Sequence, residues 1–284
     1  MKKKMKRRLL YVFGASLLAY LFFYFQNNAL VTTEYTIRSE DVPNSFDGYT
    51  IVHLSDLHGK YFGDNQSILV EKTADMNPDM IVFTGDIVDE DRYDEQAGQI
   101  LMEKLTEMAP VYYVTGNHEW KSGRFGSLEK KLQGVNVTVL RNKTEEIVVQ
   151  GESIRITGID DPTQANGFSQ EEETAELFIK EALADVSHDD GFHMLLSHRP
   201  ELASLYARYD MDAVFSGHAH GGQFRIPFVG GVIAPNQGLF PEYDGGAYAI
   251  ENTTMMVHRG LGNSVIPVRI FNRPEIVVVT LNKE

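Results

Sequence analysis

The sequence predicts an α/β fold behind one N-terminal membrane-crossing helix, and three observations carry that reading. Short β-branched or aromatic runs alternate with amphipathic, helix-favouring stretches; five of those runs end abruptly in polar residues; and a charge-free run near the start of the chain follows a cluster of lysines and arginines. Alternation of this kind builds βαβ units in a mixed sheet.

In chain order, residues 1–8 are a basic segment containing Lys2, Lys3, Lys4, Lys6, Arg7 and Arg8. Residues 9–25 carry no charge. As a helix rising 1.5 Å per residue they extend roughly 26 Å, near the lower limit for a bilayer span. The run exceeds the ~7–15 residues of a signal-peptide core, and Gln26-Asn27-Asn28-Ala29 offers no A-x-A cleavage site, so a retained anchor is expected. Arg7-Arg8 reads as part of the basic flank, because Lys6 and Leu9-Leu10 fit a twin-arginine export signal poorly. Basic residues stay on the cytoplasmic side, which predicts a single-pass protein of the cell membrane with an extracytoplasmic body. Residues 26–45 read as a tether with an edge strand around Glu34–Arg38, and residues 46–284 as one domain.

Inside that domain the helix-favouring stretches are Gln66–Met76, Ala97–Met108, Ser169–Leu183 and Glu201–Arg208. They cease from Gly221 onward, where Gly246–Ile250, Thr254–His258 and Glu275–Leu281 read as a consecutive antiparallel set. The apolar segment from Gln223 to Val229, followed by Gly230-Gly231, reads as a hairpin buried against a second sheet, with an acyl-chain contact as the competing use.

Composition narrows the function. With 43% hydrophobic and 23% charged residues the 284-residue chain is ordinary globular material. Its net charge is -14, and setting aside the six basic N-terminal residues leaves -20 for residues 9–284. Such a body repels polyphosphate backbones unless a basic groove offsets it, and no such cluster lies beyond the N-terminus, so nucleic acid is not an expected partner. The absence of cysteine excludes disulfides, Cys-ligated zinc and iron–sulfur clusters.

The five polar endings hold the chemistry. Tyr49–Leu54 runs into Ser55-Asp56-Leu57-His58, Met80–Phe83 into Thr84-Gly85-Asp86, and Val111–Val114 into Thr115-Gly116-Asn117-His118-Glu119. His193–Leu196 runs into Ser197-His198, and Ala213–Phe215 into Ser216-Gly217-His218-Ala219-His220. Ligands of open α/β sheets bind beyond the carboxyl ends of the strands, where all five endings are expected to converge. The donors are oxygen and nitrogen without thiolate, a set that suits Mn²⁺, Fe²⁺/Fe³⁺ or Zn²⁺. Asp56 and His58 can turn toward one ion, His218 and His220 toward two neighbouring ions, and Asp86 can bridge them. Two such ions ready a bridging hydroxide for attack on a phosphoryl group. His118 is then free to act as the acid for the leaving oxygen, with Glu119 holding its ring. Gly85, Gly116 and Gly217 precede ligands where a side chain obstructs a close turn.

Each residue alone has a plainer reading: Asp56 or Asp86 as a helix cap, Asn117 as a turn residue, His198 as a hydrogen-bonded core histidine. Five coincident endings outweigh those readings together. Asp89 reads as a helix-start acid, His53 as a core histidine, and Trp120 as either cleft wall or packing. Arg259 and Arg269 are candidate substrate-phosphate contacts, against structural ion pairing. His188, His193 and His258 lie outside the endings.

Asp56-x-His58, Gly85-Asp86, Gly116-Asn117-His118-Glu119, His198 and Gly217-His218-x-His220 resemble, in order, the five motifs of calcineurin-like metallophosphoesterases. The string from Gly217 to Gln223, Arg259-Gly260-Leu261-Gly262, and Arg269 with Arg273-Pro274-Glu275 look like the bacterial membrane-associated phosphodiesterase branch. Over about residues 45–284 the resemblance implies a four-layer α/β/β/α sandwich with two mixed sheets. It also implies two divalent metal ions, the first on Asp56, His58, Asp86 and His220, the second on Asp86, Asn117, His198 and His218. The expected activity is hydrolysis of a phosphate ester, more specifically a phosphodiester, with a membrane-derived lipid or wall-polymer substrate suggested by the anchor. The alternatives are a nuclease of the same superfamily and a non-catalytic metal-binding scaffold.

Overall fold

The computed structural model describes residues 2–165, 171–186, 191–264 and 266–284. His188 and the first two residues of the expected helix Ser169–Leu183 lie outside them. The first half of the chain runs α1 (Lys2–Asn28), β1 (Val31–Ser39), β2 (Tyr49–Leu54), α2 (Ser67–Ala74), β3 (Met80–Thr84), α3 (Gln96–Thr106), β4 (Val111–Val114), α4 (Asn117–Lys121), α5 (Phe125–Gly134) and β5 (Thr138–Val139). The second runs β6 (Lys143–Val149), β7 (Glu152–Gly158), α6 (Glu171–Ala182), β8 (His193–Leu196), α7 (Ala203–Ala207) and β9 (Ala213–Ser216). Four short strands follow, β10 (Arg225–Ile226), β11 (Gly230–Gly231), β12 (Ile233–Ala234) and β13 (Gly238–Leu239), then β14 (Gly246–Ile250), β15 (Thr253–Val257) and β16 (Glu275–Lys283).

Two six-stranded mixed sheets, ordered β1-β16-β2-β3-β4-β5 and β14-β15-β9-β8-β7-β6, pack face to face. The period-two alternation of strand side chains produces the layers. Met80 and Val82 of β3 meet Met194, Leu196 and Phe215 in a core between the sheets. Ile81 and Phe83 point the other way, onto Leu69 of α2, Leu101 and Leu105 of α3, and Leu128 and Leu132 of α5. Leu195 and Val214 likewise face Ile179 of α6 and Tyr206 of α7. Three cores between four layers make the α/β/β/α sandwich.

Three expectations are corrected. Glu275–Leu281 does not continue the antiparallel set of β14 and β15: β16 lies in the other sheet, parallel to β1 and antiparallel to β2. Its run of buried residues from Glu275 to Val279 marks a central strand covered on both faces, not a half-exposed hairpin arm. The expected edge strand is longer than Glu34–Arg38, and only two residues separate it from the anchor helix. The hairpin after Gln223 is not buried, since Phe228 and Val229 are exposed.

Helix boundaries shift for local reasons. Gln66 is excluded from α2 because its buried amide bonds Phe62, Lys60 and Ala97 while its backbone sits at φ 64°. The expected helix Glu201–Arg208 is broken into a 3₁₀ turn at Pro200–Leu202 and α7 by the non-helical Leu202.

Phe215 is fully buried between the sheets, edge-on to His53 at 5.3 Å. Phe215→Ala is expected to cost ~3–5 kcal/mol, the range for truncating a buried aromatic. Urea unfolding of the detergent-solubilised protein measures this, with the exposed Val148→Ala, expected within ~0.5 kcal/mol of the parent, as reference.

Candidate metal centre

β2, β3 and β4 run parallel in one sheet and β7, β8 and β9 in the other, so both sheets deliver their carboxyl ends to the same edge of the sandwich. Contacts across the sheets lock the two sets of loops together. The His198 Nδ1–H donates to the Thr84 carbonyl at 2.6 Å, and the His218 backbone N–H donates to both Asp56 carboxylate oxygens at 3.2 Å.

The seven residues read as ligands come together there, all at most 8% exposed. Donor atoms of Asp56, His58, Asp86 and His220 lie within 4.8 Å of one another, and so do those of Asp86, His198 and His218. His58 Nε2 faces His220 Nε2 at 3.1 Å, and His220 Nε2 is 3.3 Å from Asp56 Oδ1. On the other side His198 Nε2 is 3.1 Å from Asp86 Oδ2, and His218 Nδ1 is 3.2 Å from His198 Nε2. Asp86 belongs to both groups. Asn117 Oδ1 is buried without a hydrogen-bond partner, as an acceptor reserved for a cation is expected to be.

The electrostatics suit dications. Burial lowers His58 to about 3 and holds His218 and His220 well below the ordinary histidine range, so these rings keep neutral lone pairs. Burial also raises Asp56, to about 6. Asp86 differs: burial favours its protonated form, but the facing His198 and His118 rings hold it well below the carboxylate range. In return Asp86 lifts His198 to about 10 against the lowering by burial. The Thr84 carbonyl fixes the Nδ1–H of His198, leaving Nε2 as its ligating atom.

The backbone is strained to reach this arrangement. Asp56, His58, Asp86, His218 and His220 all sit at φ between 49° and 63°, the left-handed region that side-chain-bearing residues avoid. The neighbouring glycines make room: a Cβ on Gly217 overlaps Ser55 Oγ and Asp56, and one on Gly116 overlaps Asp86.

Around the donors the structure redistributes several expected roles. Glu119 does not hold the His118 ring. Its carboxylate accepts from the backbone N–H groups of Asp86, Ile87 and Gly116 at 2.8, 2.9 and 2.6 Å, clamping the turn that carries Asp86. Burial pushes Glu119 up to about 7, with the Asp86 charge acting in the same sense. The His118 ring is held by the Glu90 backbone N–H, which donates to Nδ1 at 3.0 Å. Asp89 starts no helix; it caps the turn at Asp91 and Arg92 and faces His58 Nδ1 at 3.7 Å. His53 is a core histidine, its Nε2 2.8 Å from Thr84 Oγ1. Trp120 packs on Phe125 and donates to Thr115.

Arg259 and Arg269 are engaged in the fold. Arg259 donates to Glu275 at 2.6 Å. Arg269, fully buried, directs its guanidinium to the Gly262 and Arg259 carbonyls. Their loop props the first ligand segment: Leu261 and Gly262 donate backbone N–H groups to the Ser55 and Asp56 carbonyls at 3.1 and 2.6 Å.

One arginine at the centre was not anticipated. Arg199, adjacent to His198, places Nη1 3.2 Å from His218 Nε2 and is gripped by Asp161 at 2.5 and 3.1 Å. Asp161 stands beyond the end of β7 as the named ligands stand beyond the other strands, so recognising β7 is the signal that finds it.

The family description "calcineurin-like phosphoesterase" matches residues 49–222, which span all seven donors. The metallophosphoesterase YkuE of Bacillus subtilis (strain 168) is 34% identical over 265 residues, covering 91% of this chain and 87% of the relative. A bovine transmembrane protein with a metallophosphoesterase domain is 29% identical, over 90% of this chain and 57% of its own length. Among solved structures, TT1561 of Thermus thermophilus superposes with a TM-score of 0.51 at 14% identity, over 75% of this chain and 90% of that one, which reflects a shared fold.

Gly217→Ala is expected to displace Asp56 and lower the bound metal measured by elemental analysis. Gly134→Ala, in α5 with open space around it, is expected to leave metal content unchanged. Full occupancy in the Gly217 variant contradicts the placement of Asp56 at the centre.

Proposed function

This chain belongs to the calcineurin-like phosphoesterase family, and from that premise we propose that it is a dinuclear phosphodiesterase acting outside the cytoplasm. That it is a metal-binding hydrolase of phosphate esters follows from the family. The observation that carries the finer reading is the Asp86 carboxylate shared by two buried donor groups. Asp56, His58, Asp86 and His220 would hold one ion, and Asp86, Asn117, His198 and His218 the other. The nitrogen and oxygen donors suit Mn²⁺, iron or Zn²⁺. Bound there, divalent cations polarise phosphoryl oxygens and lower the pKa of water.

The chain's own groups supply the rest. Glu119 fixes the Asp86 turn by accepting from the backbone N–H groups of Asp86, Ile87, Val88 and Gly116. Because the Glu90 N–H occupies His118 Nδ1, the ring N–H lies on Nε2, which looks toward Asp86 Oδ2 at 4.0 Å. His118 is thereby placed to donate a hydrogen bond from Nε2 to the departing oxygen of the ester and stabilise the charge that develops there, keeping its own proton. The buried walls exclude water and strengthen each charge interaction inside.

Diester preference rests on the resemblance to the membrane-associated phosphodiesterase branch. The extracytoplasmic site and a lipid-linked substrate rest on α1, which is long and apolar enough to cross a membrane and has the basic flank on its N-terminal side.

Asp86→Asn is expected to weaken both metals together, and His118→Ala to retain metal while losing ~10²–10³-fold in kcat, the scale of removing one hydrogen-bond donor to the transition state. Unimpaired turnover in the His118 variant sinks that role. Chelator treatment is expected to abolish hydrolysis of bis(p-nitrophenyl) phosphate, and Mn²⁺ to restore it. A higher kcat/KM on p-nitrophenyl phosphate than on the diester overturns the diester reading.

A further inference from the structure

The last turn of the apolar helix is bonded into the loops that carry the metal donors. Asn27 Oδ1 accepts from the Arg269 backbone N–H at 2.9 Å and from the Asn263 amide at 3.3 Å. Lys60, two residues past His58, donates to the Asn27 carbonyl. Arg273 donates to the Ala29 and Leu30 carbonyls at 2.9 and 3.1 Å, its guanidinium 4.4 Å over the Phe25 ring. Phe271 packs edge-on against Phe22 of the helix at 5.7 Å, and its neighbour Asn272 donates to the His220 carbonyl at 2.7 Å. The end of α1 therefore contacts the His58 loop directly and reaches the His220 loop through the Phe271–Asn272 segment.

The same region carries the longest uncharged stretch of the body, from Ile226 to Pro241. It folds as the hairpins β10–β11 and β12–β13, joined to the Phe271 segment by the Arg225 N–H, which donates to the Ile270 carbonyl at 3.0 Å. Its large apolar side chains point outward: Phe228 is 109% exposed, Leu239 68%, Val229 64% and Phe240 62%, with Phe271 beside them at 54%. Phe228, Phe240 and Phe271 also hold φ of 69°, 53° and 52°. Bulky residues avoid that region, and such strain persists only where the surrounding structure imposes it. Glycine would relieve each turn, yet phenylalanine stands at all three. An exposed apolar patch of this kind marks an interaction surface, and its direct contact with a candidate span indicates which one.

We propose that the two hairpin tips and Phe271 enter the interfacial layer of the bilayer beside α1, forming a second, non-helical membrane contact that holds the metal centre at headgroup level. The occupant of the patch is lipid, because the patch is continuous with the helix that crosses it and carries no charge to select a polar partner. The proposal rests on α1 spanning the membrane. It assigns the hairpins a role of their own: the helix tethers the domain, whereas the hairpins fix its orientation, so that substrate phosphates in the headgroup layer lie opposite the donors.

The chain has no cysteine, so Phe228→Cys and Leu239→Cys each accept a single environment-sensitive fluorophore. Val148→Cys, exposed at the opposite end of the strands, serves as reference. The full chain is reconstituted into vesicles of phosphatidylethanolamine and phosphatidylglycerol. Flotation after a carbonate wash reads the span, and the fluorophores read the hairpins. Flotation with blue-shifted emission at positions 228 and 239, quenched by acyl-chain spin labels, and water-like emission at 148 is the expected result. Flotation with water-like emission at 228 and 239 overturns the hairpin contact while leaving the span. A blue shift without lipid quenching, as a second protein chain covering the patch produces, also overturns it. Failure to float removes the span and the proposal with it.

Discussion

The upper end of this molecule is organised by one buried carboxylate. Asp86 is 1% exposed, and taking an ionised group out of water is costly unless positive charge and hydrogen bonds compensate it. Its compensation comes from both halves of the sandwich: the His118 backbone N–H at 2.9 Å from its own sheet, and the His198 ring at 3.1 Å from the other. Face-to-face packing of two sheets with parallel strands ending at a common edge is the architecture that lets both sources reach one residue. The left-handed backbone of five donors follows from the same demand, since each strand must reverse within a residue or two to turn a side chain back over its own end.

Much of this was legible because the sequence signals were local. A β-branched run that stops at Asp-x-His, Gly-Asp, Gly-Asn-His or Gly-His-x-His is visible without knowing any partner, and the convergence of such endings follows from parallel strands. The seven donors meet for that reason. Helices α2, α3 and α6 were legible through their apolar spacing, whereas α5 carries only three apolar anchors, Phe125, Leu128 and Leu132, a weaker signal.

The rest depended on long-range pairing that no local window contains. β16 sits between β1 and β2, with register partners more than two hundred residues away, so its neighbours in sequence predicted the wrong sheet. The β6–β7 hairpin was hidden by Lys143, Glu145 and Glu146, which blur its alternation, and with it went Asp161 and its grip on Arg199. Glu119 illustrates a subtler limit: a carboxylate next to His118 reads as the partner that orients its ring, whereas helix α4 turns it away from the ring and into the amides of the Asp86 turn.

Arg259 and Arg269 show why placement decides function where residue type does not. Both lie near the centre, and a guanidinium there is chemically suited to phosphate. Yet Arg269 is fully buried and its donors are committed to carbonyls of the loop that supports Ser55 and Asp56. That loop also receives Asn27 through the Arg269 backbone N–H. One residue thus joins the end of the apolar helix to the segment bearing the first donors. The end of the apolar helix and the Asp56 segment are joined through Arg269 by hydrogen bonds at every step, which ties the position of the helix end to that of the first donors.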